Sequence, residues 1–163
     1  YIRDWEQLFD GIDRTLGHTL GPGGEYYLTD AFQYMIDQGA KIRTVPVEGW
    51  YDAGKPETLL QTNRHVLATS RPARPREEPG VVVHDPVHVA EGVELQDVEI
   101  GPNVTLGKGS SVRGSRLRDT IVGANSSVVR CDLHDSLVGN DVELAGVKGQ
   151  VDVGDHSTVQ LED

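Results

Sequence analysis

The sequence predicts two structures joined in one chain: the tail of an α/β domain over residues 1–69 and, beyond a Pro-rich linker at 70–80, an all-β parallel solenoid over 81–163. Self-similarity predicts the second, because repeats that share one buried column cannot fold one at a time. The order helix, loop, helix, strand, helix predicts the first, since that is a piece of a layered α/β unit. A change of texture near residue 70 separates them.

The repeat is explicit. The stretch from Ser115 to Val128 superposes on the stretch from Cys131 to Leu144 at an offset of 16. An aliphatic–Gly–x–x–small hexad begins at Ile100, Leu106, Val122, Val138 and Val153, with looser versions from Val83 and Val89. Three short strands per coil, each pointing one aliphatic inward and turning at Gly, make a triangular coil. Four to five coils are expected. Each fully buried Val, Leu or Ile contributes roughly 1.5–3 kcal/mol.

Before the linker, residues 4–16 read as a helix with a capping box from Asp4 to Gln7 and an apolar face of Trp5, Leu8, Phe9, Ile12 and Leu16. Gly21 to Gly24 is a loop. A second helix is expected to be capped by Asp30, with Gln33 completing the box and Gly39 closing it; Ala31/Met35 and Phe32/Ile36 are its apolar pairs. Lys41 to Trp50 alternates like a strand, with Val45 and Val47 on one face and Glu48, Trp50 and Asp52 on the other. Pro56 opens a third helix whose stripe is Leu59, Leu60, Val66 and Leu67. One strand does not make a sheet, so residues 1–69 read as part of a truncated or dissociated domain, in keeping with a first residue that is Tyr1 and not Met. The linker's prolines make it stiff and extended, its arginines solvated.

Composition sets the outer bounds. Residues 81–163 carry 14 acidic against 6 basic residues, a balance of −8, and residues 1–80 carry 12 against 9, a balance of −3. Such charge argues against nucleic acid or an anionic membrane as partner. The single cysteine, Cys131, excludes an intramolecular disulfide framework and suits a reducing, cytoplasmic setting. No run approaches the length of a membrane span.

Two stretches carry the chemistry: Gly24-Glu25-Tyr26-Tyr27-Leu28-Thr29-Asp30, and Gly49-Trp50-Tyr51-Asp52-Ala53-Gly54-Lys55-Pro56-Glu57. Close Gly approach, two aromatics and a Glu/Thr pair suit a polar ring bearing hydroxyls. An Asp leaving a strand into a Gly turn suits a hard cation, although by spacing alone such an Asp is a turn former. Glu25 and Thr29 can equally organise the loop, and Tyr27 can be core packing.

With Thr62-Asn63-Arg64 behind them, these motifs resemble the end of the catalytic domain of sugar-1-phosphate nucleotidyltransferases, closest to the long glucose-1-phosphate thymidylyltransferase-like enzymes with a C-terminal left-handed β-helix. The resemblance covers essentially the whole chain. It implies attack of a sugar 1-phosphate on the α-phosphate of a nucleoside triphosphate, with Mg²⁺ offsetting the charge. It makes Asp52 the second metal carboxylate and sets Glu25, Tyr27 and Thr29 along the sugar pocket. The family's Gly-rich nucleotide loop and first metal Asp have no counterpart here, so these residues alone are not expected to catalyse the reaction.

Two other readings compete. Hexad solenoids can be acyltransferases, for which His84, His88, His134 and His156 are the candidate bases, but none lies in a long insertion, and surface histidine is the simpler reading. Alternatively, the solenoid is only an assembly module. Cys131, matching Ser115 by repeat position, reads as a small structural residue. In the favoured reading the solenoid builds a homo-oligomer: its end near Val153 to Leu161 has only Glu162-Asp163 to cover it, and Val128 and Leu144 are expected on the contact face.

Overall fold

The structure, a computed structural model, describes residues 2–21, 23–75 and 78–161. Pro22 of the Gly-rich loop, Arg76 and Glu77 of the linker, and the tail Glu162-Asp163 lie outside the described residues. The chain forms two compact units, residues 1–48 and 49–163.

The first unit is a helical hairpin of α1 (Trp5–Leu16) and α2 (Leu28–Asp37). The helices meet through small residues: a Cβ on Gly11 would lie 2.9 Å from the Ala31 carbonyl oxygen. Ala31 and Met35 are buried as their spacing predicts, and Gly39 (φ +91°) closes α2. The capping boxes do not form. Asp4 makes no side-chain cap hydrogen bond; α2 starts earlier than predicted, with Tyr27 at its cap, so Asp30 falls inside the first turn. The amphipathic face of α1 is covered only in part, Leu8 and Ile12 being half-buried while Trp5 and Phe9 are 59% and 58% exposed.

Residues 41–50 form no strand. Alternation prepares a strand, but inter-strand hydrogen bonds make one. No strand pairs with this segment among the described residues, and Val45 and Val47 are 79% and 73% exposed.

The second unit contains α3 (Pro56–Thr69) and a parallel β-solenoid of about five turns. Every strand pairing in it is parallel. Val81↔Val98 and Glu99↔Arg116 are 17 residues apart, whereas Arg116↔Asp132 and Asp132↔Lys148 are 16 apart. The longer coils carry an extra residue at the corner occupied by Asp85-Pro86 and Gly101-Pro102-Asn103. Two faces join as an eight-stranded sheet, because Arg116–Val122 and Asp132–Val138 run through that corner; the third face is a five-stranded sheet.

Inward positions stack into columns. Val83, Ile100, Leu117 and Leu133 make one, and Val89, Leu106, Val122, Val138 and Val153 another. Strands such as Val98–Ile100 and Val104–Leu106 bury two side chains each and not one. Val128 and Leu144 are 0% and 1% exposed. They belong to the core and not to a contact face; the outward residues beside them are Val129 and Ala145.

The hexad glycines at 107, 123 and 139 serve close approach. A Cβ on Gly123 would lie 2.7 Å from the Asn140 nitrogen, and one on Gly107 2.6 Å from that of Ala124. The left-handed backbone at the corners is supplied largely by other residues, among them Asn103, Asp119, Asn125, Asp135 and Asp141. Asn and Asp tolerate that region better than other side chains.

The described part of the linker is not free in solvent. The Ala73 carbonyl accepts the N–H of Val89 at 2.8 Å, and Arg74 pairs with Asp85 at 2.9 Å, so the linker lies along the first coil.

Candidate functional site

Glu25, Tyr27 and Thr29 belong to the first unit. Glu25 lines an open cleft of about 450 Å³ with Arg14, His18, Tyr26, Asp30 and Tyr34. Arg14 sits over the Tyr34 ring at 5.1 Å, a cation–π arrangement that holds the guanidinium on the cleft wall. The Glu25 carbonyl accepts the Gly21 N–H at 3.0 Å and so shapes the loop as well. Tyr27 and Thr29 are not in the described lining. Tyr27 is partly exposed, with its ring against Gly21, where a Cβ would come within 2.7 Å of it. Thr29 lies exposed in the first turn of α2.

Asp52 belongs to the second unit, in the loop that leads into α3. Its Oδ1 accepts the N–H of Gly54 at 3.1 Å, the side-chain turn its spacing predicts. The Thr62 hydroxyl donates to the Asp52 carbonyl at 2.9 Å. The Tyr51 ring folds back over Gly49 and stacks on His65, with centroids 4.0 Å apart and planes inclined by 21°. The Asp52 carboxylate is thus exposed, oriented and a hard oxygen donor. That fits one ligand of Mg²⁺, which takes one or two carboxylates and completes its octahedron with phosphate oxygens and water. No group of three or more His, Cys, Asp or Glu side chains suited to a metal ion occurs among the described residues.

What the sequence reading missed is the use of α3. Leu60 and Leu67 are buried where α3 crosses the strands Arg116–Val122 and Asp132–Val138. Ile121 and Leu137, at outward positions of those strands, are half-buried. Between the two leucines, Asn63 accepts from the Thr105 hydroxyl at 2.7 Å and donates to the Asn103 carbonyl at 3.2 Å. Arg64 donates to Asp119 and, at 2.8 Å, to Asp135. Hydrogen bonding to Asp119, above all, raises the guanidinium above its ordinary pKa, so Arg64 stays charged. A sequence signal was present: polar residues three and four places after Leu60, on the stripe that Leu67 continues.

The four solenoid histidines are engaged with neighbours. His84 meets Glu99 at 3.0 Å, His134 meets Asp135 at 3.2 Å, and His156 lies 3.7 Å from Asp141. His88 Nδ1 accepts the Ala73 N–H at 3.3 Å. Cys131 is buried beside Ser115, and desolvation raises its thiol pKa, so it is poorly suited to a thiolate role.

No protein-family model matches the chain. Among curated proteins it is 29% identical to a glucose-1-phosphate thymidylyltransferase of Streptomyces antibioticus, over 85% of this chain and 46% of that protein. A bifunctional protein GlmU of Clostridium beijerinckii is also 29% identical, over 98% of this chain and 33% of that protein. The chain is similar to sugar-1-phosphate nucleotidyltransferases. The low-salt glycan biosynthesis nucleotidyltransferase Agl11 of Haloferax volcanii adds a third case, 27% identical over 94% of this chain and 50% of its own length. The chain therefore spans half or less of the length of these relatives. No helix among the described residues is long and apolar enough to cross a membrane.

Proposed function

We propose that this chain is the C-terminal portion of a sugar-1-phosphate nucleotidyltransferase of the glucose-1-phosphate thymidylyltransferase type, with its solenoid wound as a left-handed β-helix that holds a homo-oligomer together. The observation that carries the reading is the extent of the similarity. A match over 85% of the chain exceeds either half, so it draws on the segment before the linker and on the solenoid together.

In this reading the sugar 1-phosphate attacks the α-phosphate of a nucleoside triphosphate and pyrophosphate leaves. Asp52 contributes one carboxylate to Mg²⁺, which when bound supplies charge neutralisation at the phosphates. Glu25 accepts hydrogen bonds from sugar hydroxyls, with Tyr27 and Thr29 bordering the ring. Orienting two anions against mutual repulsion is the main task, and positioned residues serve it better than a strong base.

The test uses the whole protein with glucose 1-phosphate, Mg²⁺ and each nucleoside triphosphate in turn. One triphosphate is expected to give pyrophosphate and nucleotide sugar in equal amounts, and Asp52→Ala is expected to abolish the reaction. Sugar-dependent pyrophosphate release with none of the triphosphates contradicts the reading.

A further inference from the structure

Four consecutive residues of α3 each grip something outside the helix, the outer two on one side and the inner two on the other. Thr62 and His65 hold the loop: Thr62 through the Asp52 carbonyl, His65 through the Tyr51 ring. Asn63 and Arg64 hold the solenoid: Asn63 through Thr105 and Asn103, Arg64 through Asp119 and Asp135. Residues three apart share a helix side, and the intervening pair lies round from it. One helical turn thus faces the Asp52 loop with one side and the solenoid with the next.

We propose that Asn63 and Arg64 are positioning residues, through which the solenoid sets the placement of the Tyr51–Asp52 loop; this rests on the reading of Asp52 as a magnesium ligand. The loop is short and ends at Pro56, the first residue of α3, so wherever α3 sits the loop follows. Among the described residues, the hydrogen bonds of Asp52 itself go to Gly54 and Thr62. The fastening of α3 is therefore the fastening of Asp52.

The clamp is built for a guanidinium. Asp119 and Asp135 occupy the same corner of successive coils, both with left-handed backbone (φ 45° and 47°), which stacks their carboxylates one above the other. A planar fork reaches both at once, and a lysine ammonium on its flexible stem does not hold that geometry. The solenoid would then serve nucleotidyl transfer as a rigid mount, in addition to any role in assembly.

The test reads the loop directly. In the nuclear magnetic resonance spectrum of the chain, the His65 ring protons carry the ring-current shift of the stacked Tyr51, and the Gly54 amide reports its bond to Asp52. Arg64→Ala, and separately the double change Asp119→Asn with Asp135→Asn, alter groups that touch neither reporter. Both are expected to collapse the His65 shift and move the Gly54 amide, while amides of the coils from residue 139 onward stay in place. Arg64→Lys is expected to restore the signals only in part. In the whole protein the same variants are expected to lower kcat by about tenfold to a hundredfold, as a misplacement near 1 Å does, and to raise the Mg²⁺ requirement. Unchanged His65 and Gly54 signals in the folded variants overturn the coupling. An Asp52→Ala protein with full metal-dependent activity overturns the reading beneath it and leaves the spectral coupling of α3 to the loop standing.

Discussion

The hydroxyl oxygen of Ser115 accepts the backbone N–H of Cys131, one coil above it, at 3.0 Å, and donates its own proton to the Arg113 carbonyl at 2.8 Å. Ser126 and Ser136 make the same bridge to the N–H groups of Val142 and Val151, each at 3.0 Å. All three serines are buried. They are polar residues in an aliphatic column whose hydroxyls bond the backbone of their own coil and of the next.

Replacing Ser115 by Ala leaves the Cys131 amide without its acceptor. Stability in urea is expected to fall by about 1–3 kcal/mol, the cost of a buried unsatisfied donor. Ser115→Cys, which copies the residue found one coil later, is expected to lose less. A loss below about half a kcal/mol for Ser115→Ala would show that another acceptor reaches that amide.

Gly123 is constrained by space and not by conformation. A side chain there meets the backbone of residues 139 and 140 in the coil above, and backbone cannot swing aside. Gly123→Ala is expected to cost about 1–3 kcal/mol, the range for overpacking, by forcing two coils apart. Asn125→Gly, at a corner with φ 56°, is expected to be far milder. Comparing the two by thermal unfolding separates crowding from backbone strain.

The repeat was legible because every coil must present aliphatics to the same column, which prints a period into the sequence. The 17-residue coils were not, since the extra residue at Asp85-Pro86 and at Gly101-Pro102-Asn103 breaks the register of an offset found lower down. Segment 41–50 has the alternation of a strand without a neighbour to pair with, and pairing is not written locally. The Asp52–Gly54 turn could be read from two residues. The grip of Arg64 on Asp119 and Asp135 joins positions 55 and 71 residues apart, and only the fold brings those together. Ile121 and Leu137 were the available hint, being apolar at outward positions of alternating strands.

Stability should depend on acid through carboxylates of the second coil and of the last. The backbone N–H of Asn140, at 2.7 Å from Oδ1, and then its side-chain amide hold the Asp155 carboxyl below the usual carboxylate range. Hydrogen bonds from Arg116 and then His84 do the same for Glu99. A depressed carboxylate contributes stability that is complete above its unfolded pKa and is lost as the pH falls through the folded one. The urea midpoint is therefore expected to drop as the pH is lowered below about 4. Asp155→Asn is expected to flatten that drop, and an unaltered acid profile in Asp155→Asn with Glu99→Gln would assign the loss to other groups.

The proposed assembly is constrained by which faces of the solenoid are already used. One carries α3 over Ile121 and Leu137. Another presents Glu99, Arg116, Asp132 and Lys148 in successive coils, an alternating ladder in which Arg116 donates to Glu99 at 2.9 Å and forms an ion pair with Asp132 at 3.5 Å. The five-stranded face presents Ser127, Val129 and Ala145 outward, with exposed Glu143 beside Ser127 and with Arg113, which pairs with Glu94, beside Val129. That sector, whose one carboxylate and one guanidinium balance, is where two acidic solenoids can approach with least repulsion, and screening by salt should strengthen the contact against the −8 balance of residues 81–163. Sedimentation of the chain is expected to show an oligomer that tightens as salt rises. Val129→Glu, which places a carboxylate in the centre of the sector without touching the core, is expected to return it to monomers while its melting temperature in the monomer state stays close to the parent's. A parent chain that stays monomeric at low and high salt removes the assembly role, and a Val129→Glu oligomer as tight as the parent moves the contact to another face.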